Sequence, residues 1–254
     1  MDNTIKRLIK PVIVKIGRSV ERRNFTGTPI IIGACPRSGT TLLLSMLDAH
    51  PHIWGIQNQT YAFAKWDQYG KPNRFDRLYR EFIFRKIPAE KARWCEKTPK
   101  NIQFFDKILD YYGENAKLIH VIRDGRDVVT SKHPKHTPDQ YWVSVNRWIA
   151  DVSLGLEFAD YANVYTIKYE NLINDYDSEI QKLLSFLDED LTPEIQDWFH
   201  YTSVKKSKHW ANPVQKVHAN AIGKWQKPEH RQRCKEFMGN AEAVTLMQNL
   251  GYEV

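Results

Sequence analysis

A chain of 254 residues with 42% hydrophobic and 26% charged side chains is ordinary globular composition and is long enough to bury a sizeable core. Intrinsic disorder, collagen-like repetition and a disulfide-stapled miniprotein are excluded. The net charge of +7 points to an anionic partner, which is nucleic acid, an anionic membrane surface or a small polyanion.

The location of that charge narrows the choice. Residues 1–28 hold seven Lys and Arg against Asp2 and Glu21, whereas the remaining 226 residues hold 30 basic and 28 acidic side chains. A nucleic-acid-binding domain would spread cations over a face of the body, so nucleic acid is not the expected partner. Within 1–28, Ile5, Leu8, Ile9, Val12, Ile13, Ile16 and Val20 recur at helical spacing while Lys6, Arg7, Lys10 and Arg18 point elsewhere. This is a basic amphipathic helix, with a kink expected at Pro11 and a weak point at Gly17. Its apolar stripe fits docking on the domain, the commoner use, or a weak contact of residues 5–20 with a membrane surface.

From Pro29 onward, β-branched runs alternate with helical stretches. Strands are expected at Ile30–Ala34, Ala92–Glu96, Lys117–Ile122 and Val164–Lys168. Helices are expected at Thr40–Ala49, Asn101–Tyr112, Asp124–Ser131, Asp139–Tyr161 and Asp177–Leu187, with long loops and short helices from Thr192. The pattern predicts a single α/β domain over 29–254, with a central parallel β-sheet flanked by helices and ligands bound beyond the carboxyl ends of the strands.

The strongest local feature is Ile30-Ile-Ile-Gly-Ala-Cys-Pro-Arg-Ser-Gly-Thr-Thr41, a buried strand running through a turn into an apolar helix. Backbone N–H groups at such a turn, with the helix dipole behind them, form a P-loop-like anion site after the first strand. Arg37 adds a full charge, and the hydroxyls of Thr40 and Thr41 donate to phosphate oxygens. A Walker A loop is not present: five residues separate Gly33 from Gly39, and Thr40 stands where its lysine would be. The loop suits a single phosphate better than a triphosphate.

Pro36-Arg-Ser-Gly-Thr-Thr41, followed by Leu47-Asp-Ala-His-Pro51, resembles the 5′-phosphosulfate loop of sulfotransferases that use 3′-phosphoadenosine 5′-phosphosulfate (PAPS), especially the glycosaminoglycan and tyrosylprotein branches. Further motifs occur in matching order. Lys117-Leu-Ile-His-Val-Ile-Arg-Asp-Gly-Arg-Asp-Val-Val-Thr-Ser131 is similar to the segment whose Arg and Ser hold the 3′-phosphate, which implies that role for Arg123 and Ser131, with Arg126 and Asp127 as a local ion pair. Read alone, Arg123 fits equally an ion pair with Asp124 or Asp127. Glu96-Lys-Thr-Pro99 resembles the segment whose lysine stabilises the leaving phosphate, implying a catalytic role for Lys97 beside Arg37. Tyr165-Thr-Ile-Lys-Tyr-Glu-Asn-Leu172 resembles the family's Tyr-Glu-Asp/Asn-Leu segment, which implies that Tyr169 lies near the nucleotide, with Glu170 as an anchor. His218-Ala-Asn-Ala-Ile-Gly-Lys-Trp225 looks like the late loop over the nucleotide, implying binding by Gly223, Lys224 and Trp225, with Lys216, His218 and Asn220 as further candidates.

The sequence departs from the resemblance at the base. Those branches carry a Glu shortly after the His-Pro, and here that position falls on Gln59, or on Gln57 if the register slips. An amide orients a hydroxyl but does not take its proton at neutral pH. His52, His133 or His136 is then the base, or the chain binds nucleotide without transferring, or the acceptor needs no strong base. The implied activity is sulfonate transfer from PAPS to a hydroxyl, with a carbohydrate or glycan favoured and adenosine 3′,5′-bisphosphate (PAP) as product. The alternatives are a catalytically silent PAP/PAPS-binding relative and, further off, a P-loop phosphotransferase.

Cys35, Cys95 and Cys234 form no Cys-x-x-Cys pair or Cys/His cluster, so neither a disulfide framework nor a metal is expected. No apolar run approaches the 18 or so residues of a membrane span, and no signal-peptide pattern is present. A cytoplasmic protein, at most peripheral to a membrane, is expected.

Overall fold

The computed structural model describes residues 3–133, 137–205 and 222–254. Its elements are α1 (Asn3–Asn24), β1 (Ile30–Ala34), α2 (Thr40–Ala49), β2 (Ile53–Gly55), α3 (Phe75–Phe84), β3 (Arg93–Lys97), α4 (Phe105–Tyr112), β4 (Lys117–Ile122), α5 (Gly125–Val129), β5 (Lys132–His133), β6 (Thr137–Tyr141), α6 (Val145–Leu156), β7 (Val164–Lys168), α7 (Tyr169–Asn174), α8 (Tyr176–Leu187), α9 (Pro193–Gln196), α10 (Trp198–Tyr201), α11 (Arg231–Met238) and α12 (Ala241–Asn249). Five strands form one parallel sheet in the order β2-β3-β1-β4-β7, and β5 and β6 form a separate antiparallel ribbon.

β1 is central and apolar on both faces, as a strand between two helical layers must be. Ile30, Ile32 and Ala34 belong to a core with Leu43 and Leu47 of α2 and Ile180, Leu183 and Leu184 of α8. Ile31 belongs to an aromatic core on the other side, with Phe82, Trp94 and Phe105.

Three strands and α2 fall where the spacing predicts them, and β3 is shifted by one residue. Other expectations are corrected. The stretch Asp139–Tyr161 divides, because residues 137–141 pair with 132–133 and α6 starts only after Ser144, whose hydroxyl accepts the Arg147 N–H at 3.2 Å. Asn101–Tyr112 opens as a 3-10 turn over Pro99–Phe104 before α4 begins. α3 is an addition, although Phe75, Leu78, Tyr79 and Phe82 carry the i, i+3, i+4, i+7 signature in plain view. β2 has only three residues, too few to show any period.

α1 passes through Pro11 without a break. One face is docked on the domain. Ile13 enters the aromatic core, and the backbone at Gly17 lies so close to α3 that an added Cβ would stand 2.1 Å from Tyr79 Cβ. Glu21 accepts the Tyr79 hydroxyl at 2.9 Å and the Trp94 indole N–H at 3.0 Å.

His120 on β4 is fully buried, neither ring nitrogen has a hydrogen-bond partner among the described residues, and burial pushes its pKa down to about 3. Below about pH 6.5 the unfolded chain binds a proton that the folded chain refuses, so folding stability falls as pH drops toward 3, by about 1.4 kcal/mol per unit. Urea denaturation of wild type should lose about 2 kcal/mol between about pH 7 and pH 5 from this group, and His120→Leu should not lose that part. Identical pH dependences in the two proteins would refute this assignment.

Candidate functional site

The connection after β1 leads toward β3 and β2, whereas that after β4 leads toward β7, so a crevice opens at the carboxyl ends of β1 and β4. After β1 the chain turns sharply: Arg37 has φ 77° and Gly39 φ 90°, both left-handed. α2 then starts with Gly39 as its N-cap and no side-chain cap, which leaves the helix entrance without a built-in acceptor. Ser38 Oγ is buried there with no hydrogen-bond partner among the described residues. A lone buried hydroxyl costs about 1–3 kcal/mol, which an anion's oxygen at this turn would recover.

β4 delivers Arg123 to the same crevice. Its Nη1 donates to the Arg37 carbonyl at 3.0 Å, its Nη2 lies 3.3 Å from Asp127 Oδ2, and its guanidinium sits 4.5 Å from the centre of the Tyr169 ring. The Tyr169 ring also backs the phosphate loop, since a Cβ at Gly39 would meet Tyr169 Cδ2 at 2.2 Å. The expected Arg126–Asp127 ion pair is not formed. Arg126 pairs instead with Asp124, Nη2 to Oδ2 at 2.7 Å, because Asp124 is the N-cap of α5 and holds the Arg126 N–H as well.

Asp127 thereby serves other partners. Its carboxylate accepts the N–H groups of Gly223 and Trp225, both at 3.0 Å, and so ties the late 3-10 turn to the crevice. The Trp225 ring lies 4.1 Å from the Arg126 guanidinium. Lys224 stands between these contacts, and its amine is pulled below the usual lysine range by desolvation and by the Arg123 charge, with Lys227 and Arg37 adding to the effect. Ser131, half-buried, donates its hydroxyl to the Asp127 carbonyl at 2.7 Å. Glu170 braces the turn from below, accepting the Asp124 N–H at 2.9 Å and the Tyr252 hydroxyl at 2.8 Å.

Lys97 ends β3, next to β1, and is 1% exposed. Its ammonium donates to Thr41 Oγ1 at 3.0 Å, and burial pulls its pKa down to about 8 against the opposing Glu96 charge. Glu96, on the other face of the strand, is fully buried and accepts from Thr60 N, Thr60 Oγ1, Thr98 Oγ1 and Asn101 Nδ2. This knot brings the segment carrying Gln59 to the carboxyl end of β3. Gln59 Oε1 accepts the Tyr61 hydroxyl at 3.0 Å, and Tyr61 itself holds φ 54°, an uncommon conformation for a residue with a side chain.

The family model described as the sulfotransferase domain matches residues 27–239. The chain belongs to the sulfotransferase domain family. This sulfotransferase-domain chain is 27% identical to Sulfotransferase 1A1 of Mus musculus over 234 residues, covering 80% of this chain and 75% of the mouse protein. It is 26% identical to Protein-tyrosine sulfotransferase A of Caenorhabditis elegans over 200 residues, covering 67% of this chain and 52% of that protein. The chain spans between about half and two thirds of the length of the first protein-tyrosine relatives it matches. Among solved structures, the sulfotransferase domain from the Synechococcus PCC 7002 olefin synthase aligns with a TM-score of 0.64 at 16% identity, over 91% of this chain and 96% of that one. Mouse sulfotransferase SULT7A1, solved complexed with PAP, aligns with a TM-score of 0.53 at 17% identity, over 92% of each chain. These structural likenesses establish the fold.

On that fold, Arg37, Ser38, Gly39, Thr40, Arg123, Tyr169, Gly223, Lys224 and Trp225 belong to the β1–β4 crevice, and Thr41 links it to Lys97. His52 does not join them: it precedes β2 and bonds Glu189 at 3.0 Å, so it lies at the amino end of the sheet. Lys216, His218, Asn220 and His136 lie outside the described residues, as does the side chain of His133. His50, His52 and Glu189 do group their ligand atoms within 4.8 Å, a juxtaposition the sequence spacing hides. That group is closed by its own bonds, with His50 Nδ1 accepting the His52 N–H and Nε2 facing the Asp190 carbonyl. The Arg123–Asp127 pair that Arg123 fits when read alone is formed, whereas the tie of Asp127 to the 223–225 turn and the part of Tyr252 were missed, since only tertiary partners mark them.

Gly39→Ala tests the loop directly. Left-handed strain plus overpacking against Tyr169 should cost about 2–4 kcal/mol, seen as a lower midpoint in urea. An unchanged midpoint would mean that Tyr169 yields freely.

Proposed function

We propose that this chain transfers the sulfonate of PAPS to an acceptor hydroxyl and releases PAP, with residues 29–254 carrying the chemistry and residues 1–28 none of it. One observation supports the reading: Arg37, Arg123 and Lys224 converge at the switch point around a buried Ser38 hydroxyl that has no partner among the described residues. Mutually repelling cations around an unfilled donor fit an anion with more than one phosphate position.

In this reading Ser38, Gly39, Thr40 and Thr41 hold the 5′-phosphosulfate, and Arg123 and Ser131 hold the 3′-phosphate. Tyr169, Gly223, Lys224 and Trp225 complete the nucleotide site. The acceptor oxygen attacks sulfur as the bond from sulfur to the bridging phosphate oxygen breaks. The electron pair stays on PAP, where Lys97 and Arg37 neutralise it. Gln59 orients the acceptor hydroxyl, and the proton passes to water. A loose transition state, by analogy with phosphoryl transfer, tolerates that late deprotonation. No metal has a part in the scheme. A carbohydrate or glycan hydroxyl is the first acceptor class to test, with phenols and tyrosyl peptides next. Cytoplasmic placement belongs to the same reading and is supported by three buried, unpaired thiols.

PAP at about 100 times its Kd should stabilise the fold by about 2.7 kcal/mol, a rise of roughly 5–10 °C in Tm. Mg-ATP should give much less, and the opposite ranking would favour a phosphotransferase. A transfer assay with labelled PAPS across acceptor pools then separates enzyme from silent binder. Wild type should transfer, and Gln59→Glu should raise kcat at least about tenfold by supplying a base. A silent wild type beside an active Gln59→Glu would establish the second reading, which the glutamine itself favours.

A further inference from the structure

We infer that α1 is an interfacial helix that seats the protein on an anionic lipid surface. Viewed down its axis at 100° per residue, α1 has three faces. The first, with Ile13, Gly17 and Glu21, is consumed by docking on α3 and β3. The second is apolar and open: Leu8 is 72% exposed, Val12 55%, Ile16 48% and Ile9 38%. The third is a shallow groove of about 500 Å³ lined by Pro11, Val14, Lys15, Arg18, Ser19 and Arg22.

Helix propensity does not explain four exposed aliphatic side chains on one face of a helix already docked by another. Contiguous apolar surface of that kind marks an interaction site. The charge beside it selects the occupant. Lys15, Arg18 and Arg22 follow one another along the neighbouring face, and Glu21 is engaged inward with Tyr79 and Trp94. An apolar stripe flanked by cations matches acyl chains flanked by headgroup phosphates, whereas a second copy of the same helix would set cation against cation. No helix among the described residues is long and apolar enough to cross a membrane, so the seat is on the surface. Docking also fixes the orientation: on the domain side of the helix, away from the stripe, Lys10 bonds Asn73 Oδ1 at 2.9 Å.

The full chain should co-sediment with vesicles of phosphatidylcholine containing 30% phosphatidylglycerol and should bind pure phosphatidylcholine vesicles at least about tenfold less. Raising salt from about 0.1 M to 0.5 M should weaken the anionic binding several-fold. Val12→Asn/Ile16→Asn should cut partitioning at least about tenfold, as should Lys15→Gln/Arg22→Gln. Every changed side chain is solvent-facing, and an unchanged urea midpoint verifies that each variant is folded. No difference between vesicles and buffer overturns the inference, and so does equal binding to both lipids. A dimer in analytical ultracentrifugation that Val12→Asn/Ile16→Asn converts to monomer, without vesicle binding, assigns the stripe to a second copy instead. Because the vesicle readout needs no sulfonate transfer, failure of the proposed activity leaves it standing.

Discussion

Lys97→Met should lower kcat by roughly 10²–10³-fold while PAP affinity changes by less than about tenfold. The lysine is fully enclosed and its ammonium reaches Thr41 of the phosphate loop, so it meets charge that develops as the sulfur–oxygen bond breaks. Methionine keeps the volume and removes the charge without leaving a buried polar group behind. In the wild-type free protein the ammonium titrates near 8 because burial favours the neutral amine. The protonated form is the active one, so kcat/KM should be full below about pH 8 and fall as pH rises through it, and Lys97→Met should lack that limb. Retention of the PAP thermal shift confirms folding. A variant that turns over at the wild-type rate would remove Lys97 from the chemistry.

Glu96→Ala should be the most destabilising single change at the site, by about 3–5 kcal/mol, or roughly 6–20 °C in Tm. The carboxylate accepts four donors from Thr60, Thr98 and Asn101 in a fully buried position, and its removal takes this acceptor from all four, leaving Asn101 Nδ2 only the Ile32 carbonyl. The same loss frees the 58–62 segment, so acceptor KM should rise before PAP affinity changes. Glu96→Gln, nearly isosteric, should keep part of the knot and lose less. Alanine and wild type melting together would show that Thr60 is held by other means.

The two predictions differ in what made their residues visible. Lys97 stands out through the resemblance of Glu96-Lys-Thr-Pro99 to the segment whose lysine stabilises the leaving phosphate, since the strand it ends also carries Arg93 and Glu96 and gives no local signal. Glu96 is one residue away and carries comparable energetic weight, yet its donors come from two segments and nothing local names them. The same holds for Asp127. Its place beside Arg126 suggests a local pair and its spacing from Arg123 another; the second is formed, while its hold on the backbone of the 223–225 turn was out of local reach. Gln59 was legible as a departure, and its Tyr61 partner was not, since the bond requires left-handed backbone at an ordinary tyrosine.

By itself the sequence determined the local pieces: four strands, one of them placed a residue early, the turn from Pro36 to Thr41, the helix that follows it, and a charge confined largely to α1. Each rests on residue period or turn chemistry within a few positions, which the chain order states directly. Tertiary structure alone decided what meets across the crevice. Arg123 reaches the Arg37 carbonyl over 86 residues and Asp127 the Trp225 amide over 98, because strand order sets β4 beside β1. It also sent His52 to the far end of the sheet and chose which face of α1 stays in solvent. Burial and pairing across such separations depend on how layers stack, and no window of sequence contains that information.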